Sequence, residues 1–355
     1  MFRKISVLVL CLCMLAGAGC AKKAGTGGTN AALPENTQSA EQNIVTEKKV
    51  TQLKLNEVTR SVFYAPLYAA AEKGFFADEG IELTIETGGG SDKSMTALLS
   101  GDADVALMGP ETVVYVVNQG KKDSPVVIGQ LTKRDGSFLL SRKDEAKGFK
   151  WENLKGKTII GGRRGGMPLM TLEYVLRSHG LEPGRDVTVI DDVQFNLMAG
   201  AFEGGQGDYV TLFEPTATNV QNAGGGYIVA NIGTESGEVP YTAFMMTRKM
   251  LDEHPETAEA FLRAIYKAQL WVADASDEEI AEAIEPFFPD TDKESLEIVA
   301  NSYRKTDSWM KTPVMTKDSY ERLLDIVEGA GELTARPKMS EVVDNSFAKK
   351  VVSRG

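Results

Sequence analysis

Between Val50 and Tyr241 the chain alternates short apolar runs with longer stretches whose apolar residues recur at helical spacing. IELTIET sets Ile81, Leu83 and Ile85 against Glu82, Thr84 and Glu86, a period of two that predicts a half-buried strand. QLKLNEV, ADVALM and PVVIGQL read as further strands. PLYAAAEKG and PETVVYVVNQG read as helices, each with a proline in its first turn and a closing glycine. SDKSMTALLSG is predicted as a helix capped by Ser91 or Asp92. A second series follows, with strands at GKTIIGG, DVTVIDD, DYVTLF and GYIVANI. Helices at MPLMTLEYVLRSHG, NLMAGAFEGG and EPTATNVQNAG alternate with them. Beyond Tyr241 the pattern is helical to the end, with Ala258, Phe261, Leu262, Ile265 and Val272 on one stripe. Ser276 with Glu279 and Thr291 with Glu294 read as capping boxes. This order predicts an α/β protein, with mostly parallel sheets flanked by helices and the same architecture used twice.

The first residues break this pattern. Arg3 and Lys4 precede the apolar stretch Ile5–Leu15, too short to span a bilayer, and then the small residues AGAGC. All three cysteines, Cys11, Cys13 and Cys20, fall here. Residues 1–19 are predicted as a lipoprotein signal peptide, with Cys20 as the lipid-modified first residue of the mature chain. Gly17 departs from the leucine usual in such a cleavage box, and a plain secretory signal cut near Ala18 is the competing reading. Residues 20–49 contain almost no large apolar side chain and are predicted as a flexible tether.

Charge and composition narrow the function. The net charge of -11 argues against nucleic acid and against polybasic membrane docking. GGRRGGMP lacks the Gly-Lys-Ser/Thr ending of a nucleotide loop, and Arg163 and Arg164 break the Gly-x-Gly spacing of a dinucleotide loop. No cysteine follows Cys20, and His179 and His254 lie far apart in sequence, so neither a metal pair nor a Cys/His nucleophile is supported. No serine lies in a Gly-x-Ser-x-Gly elbow. The chain therefore reads as a carrier without catalytic residues, metal or cofactor.

The block FYAPLYAAAEKGFFADEGIELTIETGGGSDKSMTALLSGDADVALMGPE resembles the substrate-binding proteins of ABC importers for sulfonates, nitrate and thiamine-pyrimidine precursors. LKGKTIIGGRRGGMP, GDYVTLFEP and DNSFAKK follow in the order expected of that family. The resemblance implies a two-lobe periplasmic-binding-protein fold of type II-like form, with the ligand between the lobes. It implies that residues 50–137 and 241–355 form the first lobe and 138–240 the second. It also implies a small-molecule ligand, an ABC permease with its ATPase, a monomer, and anchoring on the extracytoplasmic face of the membrane through lipid alone. A solute-sensing lipoprotein and a pyrimidine-synthesis enzyme of the same fold are the alternatives.

In open α/β sheets ligands sit beyond the carboxyl ends of the strands, against helix N-termini. On that rule Phe63 and Tyr64 offer aromatic faces, or else pack beneath the first helix. Gly89, Gly90 and Ser91 offer backbone amides from a close-approach turn. Glu111 beside Gly109, and Glu214 beside Phe213, offer carboxylates to an amine or amide, or serve only the helix dipole. Arg163, Arg164 and Gly165 form a loop from which an arginine fork could meet an anion, or both arginines are simply solvated. Phe195 opens a further helix. Phe138 and Tyr241 fall near the expected crossovers. The arginines favour an anion such as a sulfonate, while the aromatic and acidic residues favour a heteroaromatic, and the sequence leaves both open.

Overall fold

The structure, a computed structural model, describes residues 50–121 and 123–354. The signal peptide, Cys20 and the tether lie outside the described residues. In chain order the first elements are β1 (Thr51–Glu57), α1 (Ala65–Glu72), α2 (Phe75–Asp78), β2 (Ile81–Thr87), α3 (Ser91–Ser100), β3 (Val105–Met108), α4 (Glu111–Asn118) and β4 (Val126–Thr132). Then come β5 (Ser137–Ser141), β6 (Thr158–Ile160), α5 (Met167–Ser178), β7 (Thr188–Ile190), α6 (Met198–Glu203), β8 (Tyr209–Phe213), α7 (Thr216–Asn222), β9 (Tyr227–Asn231) and α8 (Ile232–Ser236). The chain ends with β10 (Thr242–Met246), α9 (Arg248–Glu253), α10 (Pro255–Asp274), α11 (Asp277–Ile284), α12 (Lys293–Lys305), α13 (Lys317–Gly329), α14 (Met339–Val342) and α15 (Ser346–Val352).

Two five-stranded sheets result, ordered β2-β1-β3-β10-β4 and β7-β6-β8-β5-β9. Both are mixed. In the first, β1 runs parallel to β2 and β3, whereas β10 is antiparallel to β3 and β4. In the second, β6 is parallel to β7 and β8, whereas β5 is antiparallel to β8 and β9. The hydrophobic pattern predicts no strand at β5 or β10 and predicts helix after Tyr241. SFLLS and TAFMM are buried along their whole length, so neither shows the alternation that marks a half-buried strand.

The pleat divides the second sheet between two cores. Phe138, Leu140, Ile160, Val210 and Leu212 join the large core shared with the first sheet and the C-terminal helices. Leu139, Ile159 and Tyr209 face a second core with Trp151, Leu172, Val175 and Leu176. The capping box at Ser276 and Glu279 forms. The one expected at Thr291 does not, because Asp292 caps α12 through the Ser295 amide. Nor does a side chain cap α3. Its N-cap is Gly90, and Ser91 is already helical.

Two short connections join the sheets side by side. The Val239 amide donates to the Lys133 carbonyl at 2.8 Å, and the Tyr241 amide to the Thr132 carbonyl at 3.3 Å. The Thr132 and Thr242 hydroxyls lie 2.6 Å apart. Lys133 is also held from the C-terminal segment, by an amide bond to the Ser308 carbonyl at 2.9 Å and an ion pair with Asp307 at 2.8 Å.

Candidate functional site

Strand ends and helix starts from both sheets surround one cavity of about 300 Å³. The first sheet supplies Val58 and Thr59 after β1, the Gly89–Lys93 turn after β2, and Gly109 and Glu111 after β3. The second supplies Gly162, Arg163 and Gly166–Pro168 after β6, Asp192, Gln194 and Phe195 after β7, and Phe213 at the end of β8. Tyr241 and Thr242 enter from the second connection.

Of the residues expected from the sequence, Tyr64, Gly89, Gly90, Ser91, Gly109, Glu111, Arg163, Phe195 and Phe213 meet at this cavity. Four do not line it. Phe63 is fully buried beneath it, with ring centroids 5.7 Å from Phe213, 5.7 Å from Tyr241 and 5.2 Å from Tyr303. It supports the walls of the cavity instead of forming one. Arg164 turns outward, where its Nε lies 3.0 Å from Asp191 Oδ2 on an exposed surface. Gly165 offers its carbonyl to the Tyr115 hydroxyl at 3.0 Å. Glu214, buried, caps α7 by accepting from the Thr218 amide at 2.8 Å and hydroxyl at 2.9 Å.

Asp192, Gln194, Thr59 and Thr242 carry no local signal in the sequence. They reach the cavity because of which strand ends the topology brings together. A backbone bridge between Arg163 and Asp192 aligns these loops.

The walls have three chemical characters. The first is aromatic, with Tyr64, Phe195, Phe213 and Tyr241; Phe195 and Phe213 are tilted against each other with centroids 5.4 Å apart. The second is amide-rich. Helices α3, α4 and α5 begin at the cavity, and no side chain caps any of them. The Asp92 and Lys93 amides of α3 bond the Asp92 carboxylate, and the first amides of α4 and α5 approach the Glu111 carboxyl, so the helix starts hold two acidic groups at the cavity.

The third is a balanced set of charges. Arg163 Nη2 lies 2.9 Å from Asp92 Oδ1, across the cavity and half exposed. Burial is the largest influence on the Asp92 pKa and works to raise it, but the bond and charge of Arg163 together with the Asp92 and Lys93 amides outweigh it, and the net shift is downward. Lys93 and Asp192 add one charge of each sign. Glu111 is different. Burial pushes its carboxyl up to about 8, moderated only by its own amide and that of Met167. With its proton held, the rest of the lining sets Arg163 and Lys93 against Asp92 and Asp192 and sums to zero.

Behind Tyr241, Asp135 is fully buried in the first connection and accepts from the Ser137 amide at 2.7 Å. Burial raises its pKa to about 6. Among the described residues, no group of three or more His, Cys, Asp or Glu side chains could hold a metal ion.

Residues 46–285 match the family model described as the NMT1-like family. "Putative binding protein YtlA" of Bacillus subtilis (strain 168) is 45% identical over 307 residues, covering 86% of this chain and 92% of the relative. A protein named "Putative aliphatic sulfonates-binding protein" from the same organism is 24% identical over 293 residues, covering 81% of this chain and 85% of the relative. Among solved structures, the periplasmic nitrate-binding protein NrtA from Synechocystis PCC 6803 superposes with a TM-score of 0.68 at 21% identity. It covers 86% of this chain and 89% of its own, a likeness of fold.

Proposed function

The chain belongs to the NMT1-like family, and from that premise we propose that it is the solute-binding component of an ABC importer. It captures a small solute between two lobes and releases it, chemically unchanged, to a membrane permease. The observation that carries this reading is the cavity itself, lined by strand ends and helix starts from both sheets. The lobes are residues 50–137 with 241–355, and 138–240, moving about the paired connections at Lys133 and Val239. A solute that touches both lobes binds the closed form better than the open one and so shifts the population toward closure.

The solute is a small anion or a heteroaromatic. Relatives named for sulfonates and nitrate support the anion. The aromatic walls and a lining with no net charge favour a flat, neutral heteroaromatic over a fully ionised sulfonate. Cys20 anchors the mature chain by lipid to the extracytoplasmic face. Among the described residues no helix is long and apolar enough to cross a membrane. A Cys20→Ser variant is expected in the medium or the soluble periplasm, and its retention on membranes would remove the anchor.

A thermal-shift screen of purified protein against alkanesulfonates, nitrate, pyrimidines and flavins tests the binding reading. A rise in melting temperature with one of these classes is expected. Turnover of any of them by the purified chain would contradict the carrier reading.

A further inference from the structure

Glu111 is the first residue of α4 and is almost completely buried at the cavity, and its Oε2 has no hydrogen-bond partner among the described residues. A buried carboxyl oxygen is normally bonded, and one left open at a cavity marks a place where a ligand completes the network. The site is shaped around this group. A Cβ on Gly109 would lie 2.0 Å from Oε2 and 2.5 Å from Oε1, so only glycine leaves the carboxyl its position.

We propose that Glu111 recognises the solute as a neutral carboxylic acid, donating a hydrogen bond to a ring nitrogen or carbonyl oxygen, so that capture is linked to a proton. The inference rests on the solute-binding reading above and names the chemistry of one contact within it.

The surroundings select the acid form. The titratable groups that face Glu111 are Tyr64 ahead of α1, Tyr115 on α4 itself and Tyr241 from the second connection. Burial raises all three phenols, so they stay uncharged. From the second sheet's side the Met167 amide at the start of α5 approaches the carboxyl. Among the described residues, no lysine or arginine is one of the groups that act on it. Arg163, Lys93, Asp92 and Asp192 also line the cavity, and their charges cancel. A carboxylate here would be buried without a cation, whereas an acid needs only an acceptor. The amide of α5 on one side and the solute on the other would make Glu111 a bridge between the lobes.

Two experiments test this. Infrared titration in heavy water follows the carboxyl band that is present in wild type and missing from Glu111→Gln. It is expected to vanish with a midpoint near 8. A band already gone near pH 6 would overturn the inference and leave the transport reading standing.

Calorimetry with 4-aminopyrimidine, neutral in both conditions, compares wild type near pH 7 and near pH 9.5. With a midpoint near 8, affinity is expected to fall about thirtyfold between them. Glu111→Gln, which keeps a donor, is expected to bind equally at both. Affinity that is unchanged or stronger at high pH in wild type would overturn the inference, the latter by showing an ionised Glu111 that accepts a hydrogen bond. Absence of binding by 4-aminopyrimidine would overturn the acceptor class named here. Binding of another panel member in the cleft would then still support the transport reading. The wild-type pH series needs no variant, so a misfolded Gln protein would not blunt it.

Discussion

Arg163 Nη2 and Asp92 Oδ1 lie 2.9 Å apart, joining the loop after β6 in one sheet to the first turn of α3 beside the other. Both side chains are half exposed, so the pair adds less than about 1 kcal/mol to folding. Under the lobe closure proposed above, its leverage would lie in the balance between open and closed cleft, where a small energy moves a large population.

Removing one partner should therefore separate closure from stability. In Asp92→Asn or Arg163→Ala, the radius of gyration of the solute-free protein is expected to rise while the unfolding free energy changes by less than about 1 kcal/mol. Solute affinity in Arg163→Ala is expected to weaken about tenfold. Arg164→Ala, which removes a solvated pair with Asp191, is expected to leave affinity unchanged. Small-angle scattering and calorimetry read the two effects, and equal effects at both arginines would count against the latch.

Adding one methyl group at Gly109 should displace the buried acid. Its Cβ would clash with both Glu111 carboxyl oxygens, so Gly109→Ala is expected to cost about 1–3 kcal/mol in urea unfolding. It should also weaken solute binding. Unchanged stability and affinity would mean that the carboxyl does not occupy the place described.

The pH dependence of stability has a definite sign. The Glu111 carboxyl rises from an ordinary 4.5 to about 8 on folding, so the native state holds the proton more tightly. Its contribution is complete below about 4.5 and is lost as pH climbs through about 8. Glu57, Asp135 and Glu214 are also raised by burial and tilt the curve the same way. The difference between wild type and Glu111→Gln isolates one group. Denaturant unfolding near pH 5, 7 and 9 should show wild type losing stability relative to the variant by up to about 1.4 kcal/mol per pH unit. A constant difference across that range would contradict the neutral acid.

Phe63 and Phe213 are neighbours with different duties. Phe63 is fully enclosed by Tyr64, Phe213, Tyr241 and Tyr303, whereas Phe213 reaches the cavity. Phe63→Ala is expected to cost about 3–5 kcal/mol of stability. Phe213→Ala should cost less and weaken solute binding more. Thermal unfolding and calorimetry on the two variants distinguish them, and the reverse order would contradict the placement.

How much of this was legible beforehand depends on how local each signal is. The glycine turns ahead of α3 and α4 announce themselves, because glycine before a helical pattern is a local feature; that Gly90 and not Ser91 or Asp92 stands at the N-cap of α3 is decided by the backbone of that turn. Tyr64 and Phe63 are adjacent in one tight turn, and only the packing of that turn decides which ring meets the cavity. Arg163 and Arg164 are equally indistinct in sequence; the bridge to Asp192 aligns one loop with the other, and Arg163 faces inward. Strand β5 follows β4 with no helix between them, and β10 opens a stretch whose later periodicity is helical, so neither stands out from the strand–helix alternation around it. Together they make both sheets mixed.

Equilibrium dialysis with the solute that most raises the melting temperature tests the central claim most directly, with wild type beside Phe213→Ala. The expected result is about one solute retained per wild-type chain, recovered chemically intact, and little retained by the variant. Equal retention by both proteins, or a converted product in the dialysate, would contradict capture in this cleft by a carrier.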